Sequence, residues 1–147
     1  MDTDYRTGMV DFLKKQDFRN FTTLAFNRDI STAGARAYLG KLHARLDRAA
    51  LGCSWSKKRI DERMFSISFI ENPETNLHFH MLWRSPCFET MLIDKMPGFW
   101  EKLVPAGNVD TQPISNIDPL TFYCTKQLRQ DSYILSSEFS SVYATPT

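Results

Sequence analysis

Two runs of alternating side chains, separated by a five-residue turn, constrain this chain more than anything else in it. Met64-Phe-Ser-Ile-Ser-Phe-Ile70 alternates apolar with small polar residues and ends at Glu71. Asn72-Pro-Glu-Thr-Asn76 then supplies turn chemistry, and Leu77-His-Phe-His-Met-Leu-Trp83 follows. A period of two is the signature of a strand with two different faces, so the runs predict an antiparallel hairpin with Glu71 and His78 near one end. In its second strand His78 and His80 leave one side while Leu77, Phe79 and Met81 leave the other. Pairing across the hairpin brings the Glu71 carboxylate within reach of both imidazoles, with the register left open by the sequence.

The rest of the chain supplies more strands and the helices to cover them. Phe18 to Asn27 is rich in aromatic and β-branched residues and reads as a first strand. Ser31 or Thr32 caps a helix from Ala33 to Ala50, in which Tyr38, Leu39, Leu42, Leu46 and Ala49 recur at helical spacing and Gly52 marks the stop. Arg36, Lys41, Arg45 and Arg48 lie largely elsewhere on it and fit a solvated face or, less readily, a contact with phosphate. Phe88 to Leu103 has a second helical pattern, with Pro97-Gly98 predicting one helix followed by a second short turn. Asn108 to Ile114 reads as a short strand that Pro113 confines to an edge or a strand end. Asp118-Pro119, an N-cap followed by proline, opens a helix expected to run to about Arg129. Beyond Ser132 the chain is expected to add a final strand and then fray.

At 147 residues, 42% of them hydrophobic, the chain fits a single domain spanning 1–147, with its core at about 18–130 and a tail at 132–147. Cys53, Cys87 and Cys124 are odd in number and widely spaced, which argues against a disulfide framework or a structural zinc site and for a reducing compartment. The first residues form neither a basic nor an apolar leader region, and no run approaches the roughly 18 apolar residues of a membrane span. A soluble, cytoplasmic chain without a membrane partner is the expectation. A net charge of +1 announces no global field for nucleic acid, so any such binding rests on local patches.

The residues that carry chemistry are few. Two imidazoles and a carboxylate suit a divalent ion and leave coordination positions open, which favours a catalytic over a closed structural site. Downstream, Phe122-Tyr-Cys-Thr-Lys-Gln-Leu128 places Tyr123, Lys126 and Gln127 at i, i+3 and i+4, on one face of the expected helix. A phenol, an ammonium and a metal-ligand set are the parts of a metal-assisted attack on a phosphodiester. Lys57-Lys-Arg59 with Arg63, beside Trp55, joins positive charge to a stacking aromatic and fits either single-strand binding or a solvated turn. Lys14, Lys15 and Arg84 are weaker candidates, and Trp83 reads as core. Nothing resembles a GxxxxGK[ST] loop, so unwinding would fall to a separate helicase.

In the order Phe21-Thr-Thr-Leu-Ala-Phe26, Glu71, His78-Phe-His80, Tyr123-Cys-Thr-Lys126, the chain resembles the HUH endonucleases, above all the rolling-circle replication initiators of plasmids and small viruses. The resemblance implies an α+β fold, a central five-stranded antiparallel sheet with flanking helices, related to ferredoxin-like and RNA-recognition folds, with the histidine strand at its centre. It implies that His78, His80 and Glu71 hold Mg²⁺ or Mn²⁺ and that Tyr123 cleaves single-stranded DNA or a hairpin at an origin, leaving a 5′-phosphotyrosine and a free 3′-hydroxyl. Lys126 would steady the phosphate, the tyrosine or a metal-bound water. The host implied is a bacterial cytoplasm for a plasmid or phage, or a nucleus for a eukaryotic virus.

Relaxases carry a third histidine and an N-terminal tyrosine. Here the remaining histidine is His43, on the amphipathic helix, and Tyr5 has no motif around it. Single-tyrosine transposases of the same superfamily place a glutamine four residues after the tyrosine as third ligand, and Gln127 occupies that position. A third reading is a non-catalytic nucleic-acid module that stacks bases on Phe21 and Phe79.

Overall fold

A computed structural model describes residues 3–129 and 131–139. The expected fraying beyond the last strand concerns residues outside that range. Five strands form one antiparallel sheet: β1 (Asn20–Ala25), β2 (Phe65–Glu71), β3 (His78–Arg84), β4 (Asn108–Pro113) and β5 (Tyr133–Leu135), in the order β4-β1-β3-β2-β5. The histidine strand is the middle of the five, paired with β1 on one side and β2 on the other. The α+β class and the five-stranded sheet are therefore as the sequence led one to expect. Pro113 closes an edge strand, where its missing N–H leaves no ladder bond unmade.

Period two divides the sheet into two apolar layers. Leu24, Phe79, Met81, Trp83 and Ile134 face α2 (Thr32–Leu51) and α3 (Glu89–Leu103), where Leu39, Leu42, Leu46, Leu92, Met96 and Trp100 complete the larger core. Trp83 is fully buried, and its indole N–H donates to Thr22 Oγ1 at 2.9 Å. On the other face Ile67, Phe69 and Leu82 pack under α1 (Thr3–Lys15) and α4 (Ile117–Cys124), with Leu13, Cys124 and Leu128. Among the described residues no helix is long and apolar enough to cross a membrane.

Helix boundaries follow local chemistry. Ser31 caps α2, its hydroxyl accepting from Gly34 N at 3.0 Å, and Gly52 ends it at φ 83°, a conformation glycine adopts without a Cβ penalty. The break expected at Pro97-Gly98 does not occur. Pro97 withholds only one intrahelical N–H, and burial of Leu92, Met96 and Trp100 at spacings of four carries α3 through. The cap of α4 is Asn116 rather than Asp118: its side chain accepts from Asp118 N at 3.1 Å, and Pro119 lies within the first turn, where no N–H is needed.

Gly107 fills a place where nothing larger fits. A Cβ built there would lie 2.5 Å from the Ala25 carbonyl oxygen and 2.6 Å from Trp100 Nε1, between the partners of a 3.0 Å hydrogen bond. Gly107→Ala is expected to destabilise the fold by about 3 kcal/mol through overpacking and the loss of that bond. Urea unfolding monitored by tryptophan fluorescence measures it, and an unchanged midpoint contradicts it.

Two titratable groups on α2 are buried with opposed consequences. The His43 Nδ1–H donates to the Leu39 carbonyl at 3.0 Å, and Nε2 accepts from the Ser66 hydroxyl at 2.7 Å. Burial pushes its pKa down to about 4, so this histidine is a neutral core group. Burial pushes Asp47 up to about 6, against the Met64 N–H and the charge of Arg63. The His43 contribution to stability is present above about pH 6.5 and is lost as pH falls through about 4; that of Asp47 is present below about pH 4 and is lost as pH rises through about 6. The two nearly cancel in the wild type. Asp47→Asn is expected to uncover the histidine, so that its stability relative to wild type falls by about 3 kcal/mol between pH 7 and pH 4. Parallel stability curves for the two proteins would refute this.

Candidate metal centre

The register places the ligands. Glu71 lies directly opposite His78, and His80 lies opposite Phe69 on β2 and Thr23 on β1, so all three candidate ligands stand on the face covered by α1 and α4. Their donor atoms lie within 4.8 Å of one another, and the group can hold a metal ion. The site is recessed, with side-chain exposures of 17% for His78, 10% for Glu71 and 5% for His80.

The hydrogen bonds around the triad set the orientation of its rings. His78 Nδ1 lies 3.0 Å from the Asn76 carbonyl, which can only accept, so Nδ1 carries a proton and Nε2 is turned inward. That Nε2 is 2.9 Å from Glu71 Oε2, and His80 Nε2 closes on the same oxygen. His80 Nδ1 lies 3.3 Å from Thr23 Oγ1, a hydroxyl able to accept its proton. Three potential ligand atoms thus converge on one point, a donor set that could hold a metal ion. The residues fit a divalent ion.

The electrostatics agree. Burial opposes ionisation of Glu71, but Lys126 and the two imidazoles outweigh it and hold the carboxyl below its ordinary range. Burial also lowers the pKa of His80, against the pull of Glu71. Lys126 Nζ sits 2.5 Å from Glu71 Oε1, and this contact raises its own pKa. The carboxylate is therefore shared: one oxygen for the imidazoles, one for the ammonium.

Tyr123 joins the group from α4. Its ring centroid is 5.0 Å from that of His80 and 6.3 Å from that of Phe21, and Lys126 Nζ lies 4.2 Å from its ring centroid. It is 43% exposed, so its phenol is open to a large substrate. The helix expected to reach Arg129 instead stops at Cys124, and Thr125 to Gln127 form a turn. Thr125 Oγ1 donates back to the Thr121 carbonyl at 2.6 Å and Leu128 N bonds to Thr125 O at 3.1 Å, so the chain ends the helix with local bonds. Lys126 and Gln127 reach the crevice beside Glu71 and His80 from this turn, not from a shared helix face.

Of the two candidates for a third ligand, Glu71 is the one whose carboxylate lies beside both imidazoles. Gln127 lines the same crevice, but its Oε1 accepts from Asn72 N at 3.4 Å. Cys124 is buried, and burial and then the charge of Glu71 push its thiol up to about 12. Tyr5 is bound to Tyr133 through their hydroxyls at 2.9 Å; that bond first, then burial, raises its pKa to about 12. Of the two stacking platforms, Phe79 is fully buried under α2 and α3, which leaves Phe21 beside Tyr123 and His80.

The basic segment lies elsewhere. Two single-turn 3₁₀ helices, Trp55–Lys57 and Ile60–Glu62, precede β2, at the end opposite Glu71 and about 20 Å from it by strand rise. Arg63 is buried over the Trp55 ring and donates to the carbonyls of Ser56 and Lys58, so it organises this loop and is not offered to a phosphate. Arg59 pairs with Asp61, whereas Lys57 and Lys58 are exposed. Sequence reasoning missed Thr23, Asn76 and Arg6, which orient His80, His78 and the end of α4. Only the strand alternation that aligns Thr23 with the histidine face could have signalled any of them.

No protein-family model matches the chain, and no curated protein or solved structure matches it.

Proposed function

We propose that the protein is a metal-dependent enzyme of the HUH type that nicks and rejoins single-stranded DNA, in the manner of a rolling-circle replication initiator. The observation that carries this reading is the packing of Tyr123 against His80, with Lys126 spanning the phenol ring and Glu71. His78, His80 and Glu71 would hold Mg²⁺ or Mn²⁺, which when bound supplies Lewis acidity at a phosphodiester. The Tyr123 oxygen adds to phosphorus, the bond from phosphorus to the 3′-oxygen breaks, and the phenolic proton ends on the 3′-hydroxyl. The balance needs neither water nor a redox partner, and the reverse step rejoins the strand. Lys126 places positive charge beside the Tyr123 ring, where negative charge grows in the transition state. Thr23 and Asn76 fix the imidazole orientations. Glu71 rather than Gln127 beside both imidazoles supports the initiator kind over the transposase kind.

The test uses a randomised single-stranded oligonucleotide library with a 3′ fluorophore, because a 5′-phosphotyrosine retains the 3′ fragment. Incubation with Mn²⁺ should label the protein on a denaturing gel, and chelation of the ion should prevent it. Unlabelled wild-type protein with both Mn²⁺ and Mg²⁺ would refute the proposal.

A further inference from the structure

We infer that Arg6 is a positioning residue for Tyr123: its guanidinium, reaching across from α1, closes the C-terminal end of α4 and sets where the phenol stands relative to the triad. The inference rests on the reading of Tyr123 as the nucleophile.

An eight-residue helix is too short to be stable alone, since isolated helices below about 12 residues are marginal in water. Tyr123 is its penultimate residue, in the turn whose carbonyls have no intrahelical partner. Arg6 Nη2 donates to the Phe122 carbonyl at 3.1 Å, and Arg6 Nε donates to Thr125 Oγ1 at 3.1 Å. That hydroxyl in turn donates to the Thr121 carbonyl at 2.6 Å. One planar fork therefore grips the residue before Tyr123 and the first residue of the turn that carries Lys126. The guanidinium also lies 5.8 Å from the Phe122 ring centroid, and its charge is favourable at a helix C-terminus. Both bonds span more than a hundred residues of sequence, so α1 holds the nucleophile segment against the sheet from a distant part of the chain. A lysine offers a point charge and cannot span both acceptors in this geometry. Misplacement of a reacting group by about 1 Å lowers a rate by about a hundredfold, and Arg6 makes no contact with the triad, so its effect would pass through Tyr123 alone.

The experiment compares Arg6→Ala and Arg6→Lys with the wild-type chain. Single-turnover formation of the labelled adduct at saturating oligonucleotide and Mn²⁺ is expected to fall by about tenfold to a hundredfold in both, with the dissociation constants for oligonucleotide and Mn²⁺ unchanged. A second readout needs no reaction: in NMR spectra of the free protein, the Tyr123 ring protons should lose the ring-current shift imposed by His80 when Arg6 is replaced. A fall in DNA affinity with the Tyr123 shift retained would make Arg6 a phosphate contact and overturn the inference. Full activity in Arg6→Lys would overturn the fork geometry. Were the wild type to form no adduct, the nucleophile reading would fail, and the Tyr123 spectrum would still decide whether Arg6 holds the end of α4. If Arg6→Ala fails to fold, Arg6→Lys with the same two readouts decides.

Discussion

Tyr123→Phe should bind Mn²⁺ as the wild type does and form no covalent adduct, a loss of more than about a thousandfold. The substitution removes one oxygen and little else. The ring of residue 123 packs on His80 and Phe21 and lies under Lys126, all contacts a phenylalanine keeps. None of the three candidate ligands belongs to α4, so the chelate has no reason to change. A defect confined to the chemical step is thus the expected signature, read by titration calorimetry for the ion and by the fluorescent gel for the product. Undiminished labelling of the variant would assign the nucleophile elsewhere; of the other tyrosines described, Tyr5 and Tyr133 are bonded to each other and the Tyr38 hydroxyl accepts from Arg28 on α2's side of the sheet.

His80→Ala should abolish stabilisation by the ion. With Mn²⁺ at about a hundred times its dissociation constant, the folded wild type is stabilised by about 2.7 kcal/mol, because the unfolded chain does not assemble the site. His80 is the most buried ligand, and its Nε2 closes on the same Glu71 oxygen that faces His78. Without it, one carboxylate and one imidazole remain on adjacent strands, a pair common on protein surfaces that holds no metal. The comparison must be made within each variant, with and without ion, since removal of a buried ring destabilises the apoprotein in any case. An equal Mn²⁺-induced shift in His80→Ala would remove His80 from the centre.

Much of this was legible in the chain because period two is a strong signal. The hairpin, the alternation of His78 and His80 and the nearness of Glu71 all follow from residues within twenty positions of one another. That Glu71 faces His78 directly is register, which depends on how the turn at 72–76 closes, and the sequence left it open. Helix α1 went unseen although Tyr5, Met9, Phe12 and Leu13 recur at helical spacing and pack against the sheet. The end of α4 was placed five residues late, because the stop comes from Thr125 and from Arg6, more than a hundred residues away. Pro97 misled in the other direction, since the core contacts of α3 outweigh a lost hydrogen bond. Arg63 looked like a nucleic-acid contact by composition and is a buried brace by geometry. Long-range contacts separate these failures from the successes.

The two halves of the site belong to parts of the molecule with unequal resistance to opening. Glu71, His78 and His80 are fixed on β2 and β3, each bonded on both sides within the sheet, whereas Tyr123 rides on two turns of helix laid against it. Amide exchange should accordingly be slowest beneath Glu71, His78 and His80 and fast beneath Tyr123. Under the proposed function, such a chain would swing its tyrosine away, with whatever is attached to it, while the three ligands stay assembled for the next strand.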